Sequence, residues 1–169
     1  LAPEFRLKGT DNRLYSPSSF KGCKAILIVF MCNHCPYVQA KLKEMNRIWK
    51  DYKDKGLAII GINPNDEARY PEDSFESMQE WSRQGRIKFT YLRDETQETA
   101  RKYGAVCTPD PFLFNSEFKL IFHNRIDYPS GLDAAEKHEL HEAIGEFLKT
   151  GKISLQETPS MGCSIKWKG

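Results

Sequence analysis

The sequence predicts an α/β fold, a three-layer α/β/α sandwich with a mixed central sheet and an N-terminal β-hairpin. Three observations carry this. Two short runs, Ala25–Phe30 and 57–62, are apolar on both faces and rich in β-branched residues, as buried parallel strands are. A helical period lies between them, which makes a βαβ unit with an expected right-handed crossover. Strand-like and helix-like segments then keep alternating, which places helices on both faces of one sheet.

In chain order, residues 3–15 read as a hairpin: Phe5 and Leu7 alternate, Asp11-Asn12 turn, and Leu14 and Tyr15 return. From Pro36, Val38, Leu42, Met45, Trp49 and Tyr52 form one apolar stripe, with Lys41, Lys43, Glu44 and Arg47 facing away. Gly56 closes this helix. After a polar stretch from Asn63 to Asp73, a second helix is expected over 73–83 and a strand over 87–92. Asp94 can cap a helix that runs to Tyr103 and stops at Gly104. Residues 112–114 and 120–122 read as an antiparallel hairpin. Asp133 with Glu136 resembles a capping box opening the last helix, with Leu140, Ile144, Phe147 and Leu148 on its stripe. One domain is expected over 1–151, followed by a tail, 152–169, packed on or near it.

The 169 residues are 40% hydrophobic and 28% charged, an ordinary globular composition, and the net charge is only +2. No basic stripe suited to nucleic acid and no apolar run long enough for a membrane span is present. Neither partner is expected. A cytoplasmic location is expected, although a start at Leu1 rather than a methionine is also compatible with export. The residues set no oligomeric state.

Five cysteines make an odd number for a secreted disulfide framework. The segment Cys32-Asn33-His34-Cys35-Pro36 follows the most apolar strand, at the carboxyl end where open α/β sheets carry their sites. Pro36 suits the first helical position and so puts Cys35 at or beside the N-cap. A thiolate there meets free N–H groups and the positive helix end, which lowers a cysteine pKa from about 8.5 to roughly 3.5–7.5. Cys35 is therefore the expected nucleophile and Cys32 the candidate to resolve a mixed disulfide. A structural zinc site needs two such ligand pairs, and one exists here, so no metal or cofactor is expected.

These motifs resemble the thioredoxin superfamily. Cys35-Pro36-Tyr37-Val38 is similar to the glutaredoxin Cys-Pro-Tyr-Cys signature with its last cysteine replaced. Phe30 precedes Cys35 at the interval of the thioredoxin strand phenylalanine. Residues 103–109, Tyr-Gly-Ala-Val-Cys-Thr-Pro, resemble the approach to the superfamily's cis-proline. The resemblance implies that Pro109 is that proline, lying against the active cysteine, and that the backbone of Thr108 pairs with a bound substrate chain. The hairpin start and residues 91–104 are more similar to the redoxin branch, which contains the alkyl hydroperoxide reductase/thiol-specific antioxidant proteins. Within it the chain resembles a group with Cys-Asn-His-Cys-Pro near the start and Pro-Ser-Met-Gly-Cys-Ser-Ile-Lys-Trp at the end.

The departures bear on function. Val38 stands where thioredoxin has its resolving cysteine, and Val29 where it has a buried acid. Cys32 takes the place of the peroxiredoxin threonine, and Pro109 that of its arginine. A peroxidase without those donors lacks groups that stabilise charge on the departing oxygen. The expected function is thus a thiol–disulfide oxidoreductase acting on a disulfide-containing protein or small thiol, reset by an external dithiol. A peroxiredoxin-like peroxidase and a redox sensor or metal-holding module are the alternatives.

Other residues are candidates for support. His34 can carry a proton near neutral pH, as can Asp110. Cys107, two residues before Pro109, and Cys163, in the tail, are alternative resolving thiols. Cys23 reads as structural, and His123, His138 and His141 as surface residues. The polar stretch before the second helix is expected to shape a partner surface.

Overall fold

Residues 25–30 form a strand buried at all six positions, because neighbours cover it on both faces and both edges. The computed structural model describes residues 1–127 and 135–169. In order, its elements are β1 (Leu7–Gly9), β2 (Leu14–Tyr15), β3 (Ala25–Phe30), α1 (Pro36–Tyr52), β4 (Leu57–Asn63), α2 (Phe75–Arg83), β5 (Thr90–Arg93), α3 (Glu98–Tyr103), β6 (Cys107–Thr108), β7 (Asp110–Asn115), β8 (Leu120–His123), α4 (Glu139–Thr150) and β9 (Cys163–Ser164). The main sheet runs β2-β1-β5-β4-β3-β7-β8. β3 pairs parallel with β4, from Ala25 opposite Leu57 to Phe30 opposite Ile62, and antiparallel with β7, ending at Phe30 opposite Asp110. The sheet is therefore mixed, with the β3 terminus near its centre.

Alternation along β3 splits the core into two layers. Ala25, Leu27 and Val29 pack with Val38, Met45 and Ile48 of α1, Met78 and Trp81 of α2, and Leu140 and Ile144 of α4. Ile26, Ile28 and Phe30 pack on the other face with Phe5 and with Ala100 and Tyr103 of α3. This is a thioredoxin-like three-layer arrangement.

Several boundaries differ from expectation. α2 begins at Phe75, because Ser74 is its N-cap and accepts the Ser77 N–H, while residues 71–73 form a short 3-10 turn. The strand expected over 87–92 is β5, only 90–93. The carboxylate of Asp94 does accept the amides of Thr99 and Ala100, and Gly104 closes α3 at φ +71°. Asp133 lies outside the described residues, and α4 starts at Glu139, beyond Glu136.

The polar face assigned to α1 is also partly wrong. Lys41 and Glu44 are buried. The chain after β8 covers them: the Lys41 ammonium lies 2.7 Å from Asp127, and Glu44 is bound by Arg47 and His138. Helical periodicity cannot register a charge whose partner arrives from a distant segment.

A second, two-stranded sheet was not foreseen at all. β6 pairs antiparallel with β9 from the tail, placing Cys107 opposite Ser164 and Thr108 opposite Cys163.

Candidate active site

Pro36 occupies the first turn of α1, and Cys35 is its N-cap in extended geometry, φ −77° and ψ 124°. Proline has no N–H to satisfy there and its fixed φ is already helical, so the sequence itself sets this start. The Cys35 carbonyl accepts the amides of Val38 and Gln39, both at 3.1 Å. Its sulfur is left at the positive end of a 17-residue helix.

Cys32, Thr108 and Cys163 converge on that sulfur. The Cys35 N–H donates to Cys32 Sγ at 3.3 Å. Thr108 lies across the site: its carbonyl oxygen is 3.5 Å from Cys35 Sγ and its hydroxyl is 3.5 Å from Cys32 Sγ. The Thr108–Pro109 peptide is cis. Cys163, arriving on β9 opposite Thr108, packs against the buried cluster that holds Cys35. Cys32 and Cys35 are both fully buried.

These contacts push the thiols apart in acidity. Cys35 is lowered to about 4, chiefly by the hydrogen bond from the Cys32 thiol, against burial, with help from the Cys163 thiol and the amides of Val38 and Cys163. Cys32 is driven upward because it holds the shared proton, is buried and faces the charge of Asp73. Burial raises Cys107 and Cys163 to about 11 each, and for Cys163 the hydrogen bond with Cys35 adds to this. One thiolate among protonated thiols is a nucleophile with acids beside it.

The loop carrying the pair is held from beneath by residues that sequence reasoning did not single out. Buried Asp73 accepts the amides of Asn33, at 2.6 Å, and His34, at 3.1 Å. It also accepts the side-chain amides of Asn63 and Asn65. The Tyr91 hydroxyl donates to Asn33 Oδ1 at 2.8 Å, and the Arg93 guanidinium donates to the carbonyls of Asn63, Asn65 and Asp73. Within the stretch from Asn63 to Asp73, Asn63, Asn65 and Asp73 are buried as the floor of the site, while Ala68, Arg69, Pro71 and Glu72 are exposed. One signal was present, since Asn63-Pro64-Asn65 directly follows a buried strand at the site end of the sheet.

The remaining candidates are placed as follows. The His34 ring is turned to Glu72, with Nδ1 2.8 Å from the carboxylate, and lies against Tyr70. Asp110 is buried and engaged by His123 at 2.6 Å and by the Ser160 hydroxyl. Cys107 is half-buried and lines a separate groove with Asp110, His123 and Ser160. Cys23 is half-buried just before β3. His138 Nδ1 lies 2.8 Å from a Glu44 carboxylate oxygen, and His141 Nε2 lies 2.8 Å from one of Asp51. Among the described residues, the side chains grouped closely enough to hold a metal are Glu44, Asp127 and His138, not the cysteines.

A thiol pair at the N-terminus of the first long helix, facing a cis-proline loop, defines a thioredoxin-like thiol protein. More particularly, the chain belongs to the AhpC/TSA family, whose sequence pattern matches residues 1–123. A crystal structure of a conserved protein from Geobacillus kaustophilus superposes with a TM-score of 0.92 at 37% identity, covering 99% of this chain and 90% of that one. The thiol-disulfide oxidoreductase ResA of Bacillus thuringiensis subsp. konkukian is 24% identical over 120 residues, 71% of this chain and 65% of that protein. The chloroplastic peroxiredoxin Q of Triticum aestivum is 28% identical over 102 residues, 60% of this chain and 43% of that protein. The chain therefore spans less than two thirds of the length of these two relatives.

Proposed function

We propose that the protein is a thiol–disulfide oxidoreductase with Cys35 as nucleophile and Cys32 as resolving thiol. The observation that carries this reading is the buried pair itself, with Cys35 at the N-cap of α1 and its N–H donating to Cys32 Sγ. The Cys35 thiolate attacks a disulfide, forms a mixed disulfide and expels one thiolate, which takes up a proton. Cys32, having lost its proton, then attacks the Cys35 sulfur, expels the second thiol and leaves a Cys32–Cys35 disulfide. An external dithiol restores both thiols. The substrate is a disulfide-containing protein or small disulfide, consistent with the likeness to ResA.

Reaction of the reduced protein with one equivalent of a disulfide oxidant, followed by peptide mapping without reduction, tests this. A Cys32–Cys35 bond is expected, and a Cys35 thiol left free overturns the assignment.

The likeness to peroxiredoxin Q favours one second reading, in which Cys35 is oxidised by peroxide to a sulfenic acid that condenses with Cys32. Stopped-flow oxidation by hydrogen peroxide separates the two. A rate no faster than that of an ordinary free thiol leaves the disulfide chemistry alone.

A further inference from the structure

The proposed nucleophile is sealed in, and the tail is part of the seal. Cys35 has no exposed surface, and β9 lies over it with Cys163 opposite Thr108. The approach is too close for any side chain at Gly162, where a Cβ would stand 1.9 Å from the Thr108 carbonyl oxygen and 3.1 Å from the Pro109 nitrogen. Beyond the strand, the Ile165 amide donates to the Val106 carbonyl, and the Ile165 side chain is buried in the second core layer. Lys166 pairs through its backbone with Asn65 and Asp66, residues of the same loop that floors the site. Gln97 binds the backbone of Lys166 and Lys168. An extended segment with a cysteine is therefore seated on the reactive thiol as a bound peptide would be.

We propose that the tail strand is a built-in peptide ligand of the Cys35 site, and that Cys163 closes a disulfide with Cys35 during turnover. This rests on Cys35 being the nucleophile, and it sets Cys163 ahead of Cys32 in expelling the second product thiol. The strand lifts to admit a disulfide R–S–S–R, and the Cys35 thiolate takes one sulfur and releases one R–S⁻, which takes a proton from water. When the strand re-pairs with β6, the Cys163 sulfur attacks the Cys35 sulfur, expels the second R–S⁻ and passes its proton to it. One disulfide is reduced to two thiols, and Cys35 and Cys163 are oxidised to one Cys35–Cys163 bond. Cys32 then attacks Cys35 in turn, freeing Cys163 as a thiol and leaving the Cys32–Cys35 disulfide of the preceding section.

A Cys32→Ser chain stops this sequence at the tail. Treated with one equivalent of 4,4′-dithiodipyridine and digested without reduction, it is expected to yield the linked Cys35–Cys163 peptides. Cys32→Ser/Cys163→Ser is expected to retain a thiopyridyl adduct on Cys35. An adduct that persists on Cys35 in the single variant, with Cys163 still open to alkylation, overturns the tail's role and leaves the proposed nucleophile standing. Absence of any disulfide at Cys35 in both variants, whether to thiopyridine or to Cys163, overturns both proposals. The cover is tested separately by Gly162→Val, whose side chain cannot fit against Thr108. It is expected to speed alkylation of Cys35 in the reduced, folded protein several-fold, and an unchanged rate overturns the seal.

Discussion

The Asp73 carboxylate accepts the backbone N–H of Asn33 at 2.6 Å, across 40 residues of chain, with both groups buried. Through this bond Asn33, one of the two residues between the thiols, takes its position from the turn that precedes α2. The conformation of the Cys32–Cys35 loop is thus held by a carboxylate remote in sequence, and replacing it should disturb reactivity as well as stability.

Asp73→Ala removes the acceptor of four donors, the amides of Asn33 and His34 and the side chains of Asn63 and Asn65. A buried donor left unsatisfied costs about 1–3 kcal/mol, and partial rehydration of the loop limits the sum, so a loss of about 3 kcal/mol is expected. The urea midpoint should fall with little change in m-value. Asp73→Asn, which keeps an acceptor oxygen, should lose less.

Cys35 should alkylate at a rate that rises around pH 4 and is flat through neutrality. Because the Cys32 thiol is the chief cause of that acidity, Cys32→Ala should move the midpoint upward, toward the ordinary cysteine value of about 8.5. Iodoacetamide kinetics with peptide-level readout measures both. A midpoint unmoved by Cys32→Ala would remove the shared proton from the account.

The same shift sets a pH dependence of stability. Below the ordinary cysteine pKa the unfolded chain keeps the Cys35 proton, while the folded chain releases it down to about pH 4. The unfolded state then binds more protons, so this contribution is full above about pH 8.5 and is lost as the pH falls toward 4. Relative to Cys35→Ser, the reduced protein should gain stability as the pH is raised across that window. Denaturation of both proteins at a series of pH values reads the difference.

His123 is raised from its ordinary value, first through its hydrogen bond to Asp110. Its proton therefore stabilises the fold below about pH 6.5, and the contribution is lost as the pH rises through the elevated folded value. An NMR titration of the ring proton should give a midpoint above 6.5, and Asp110→Asn should lower it.

Gly61 faces Met31, Tyr91 and Phe89, and a Cβ there would come within 2.6 Å of the Met31 sulfur and 3.1 Å of the Tyr91 ring. Gly61→Ala should cost about 1–3 kcal/mol through overpacking. Since Tyr91 holds Asn33, the substitution should also slow Cys35 alkylation, and the two measurements on one variant check the link.

The strands, the α1 start and the N-cap position of Cys35 were legible along the chain because their signals are local. β-branched runs bury themselves, Pro36 fixes the first helical φ, and an N-cap thiol meets the helix dipole whatever surrounds it. Packing between distant segments set the rest. Lys41 and Glu44 are buried because Asp127 and His138 come to meet them, and Asp73 becomes part of the site because its turn folds under Asn33. Two-residue strands such as β6 and β9 have no period to detect, so the placing of Cys163 opposite Thr108 follows from their pairing alone. Chain-local preferences thus located the thiol; hydrogen bonds and burial between segments far apart in sequence chose its neighbours, its acidity and its cover.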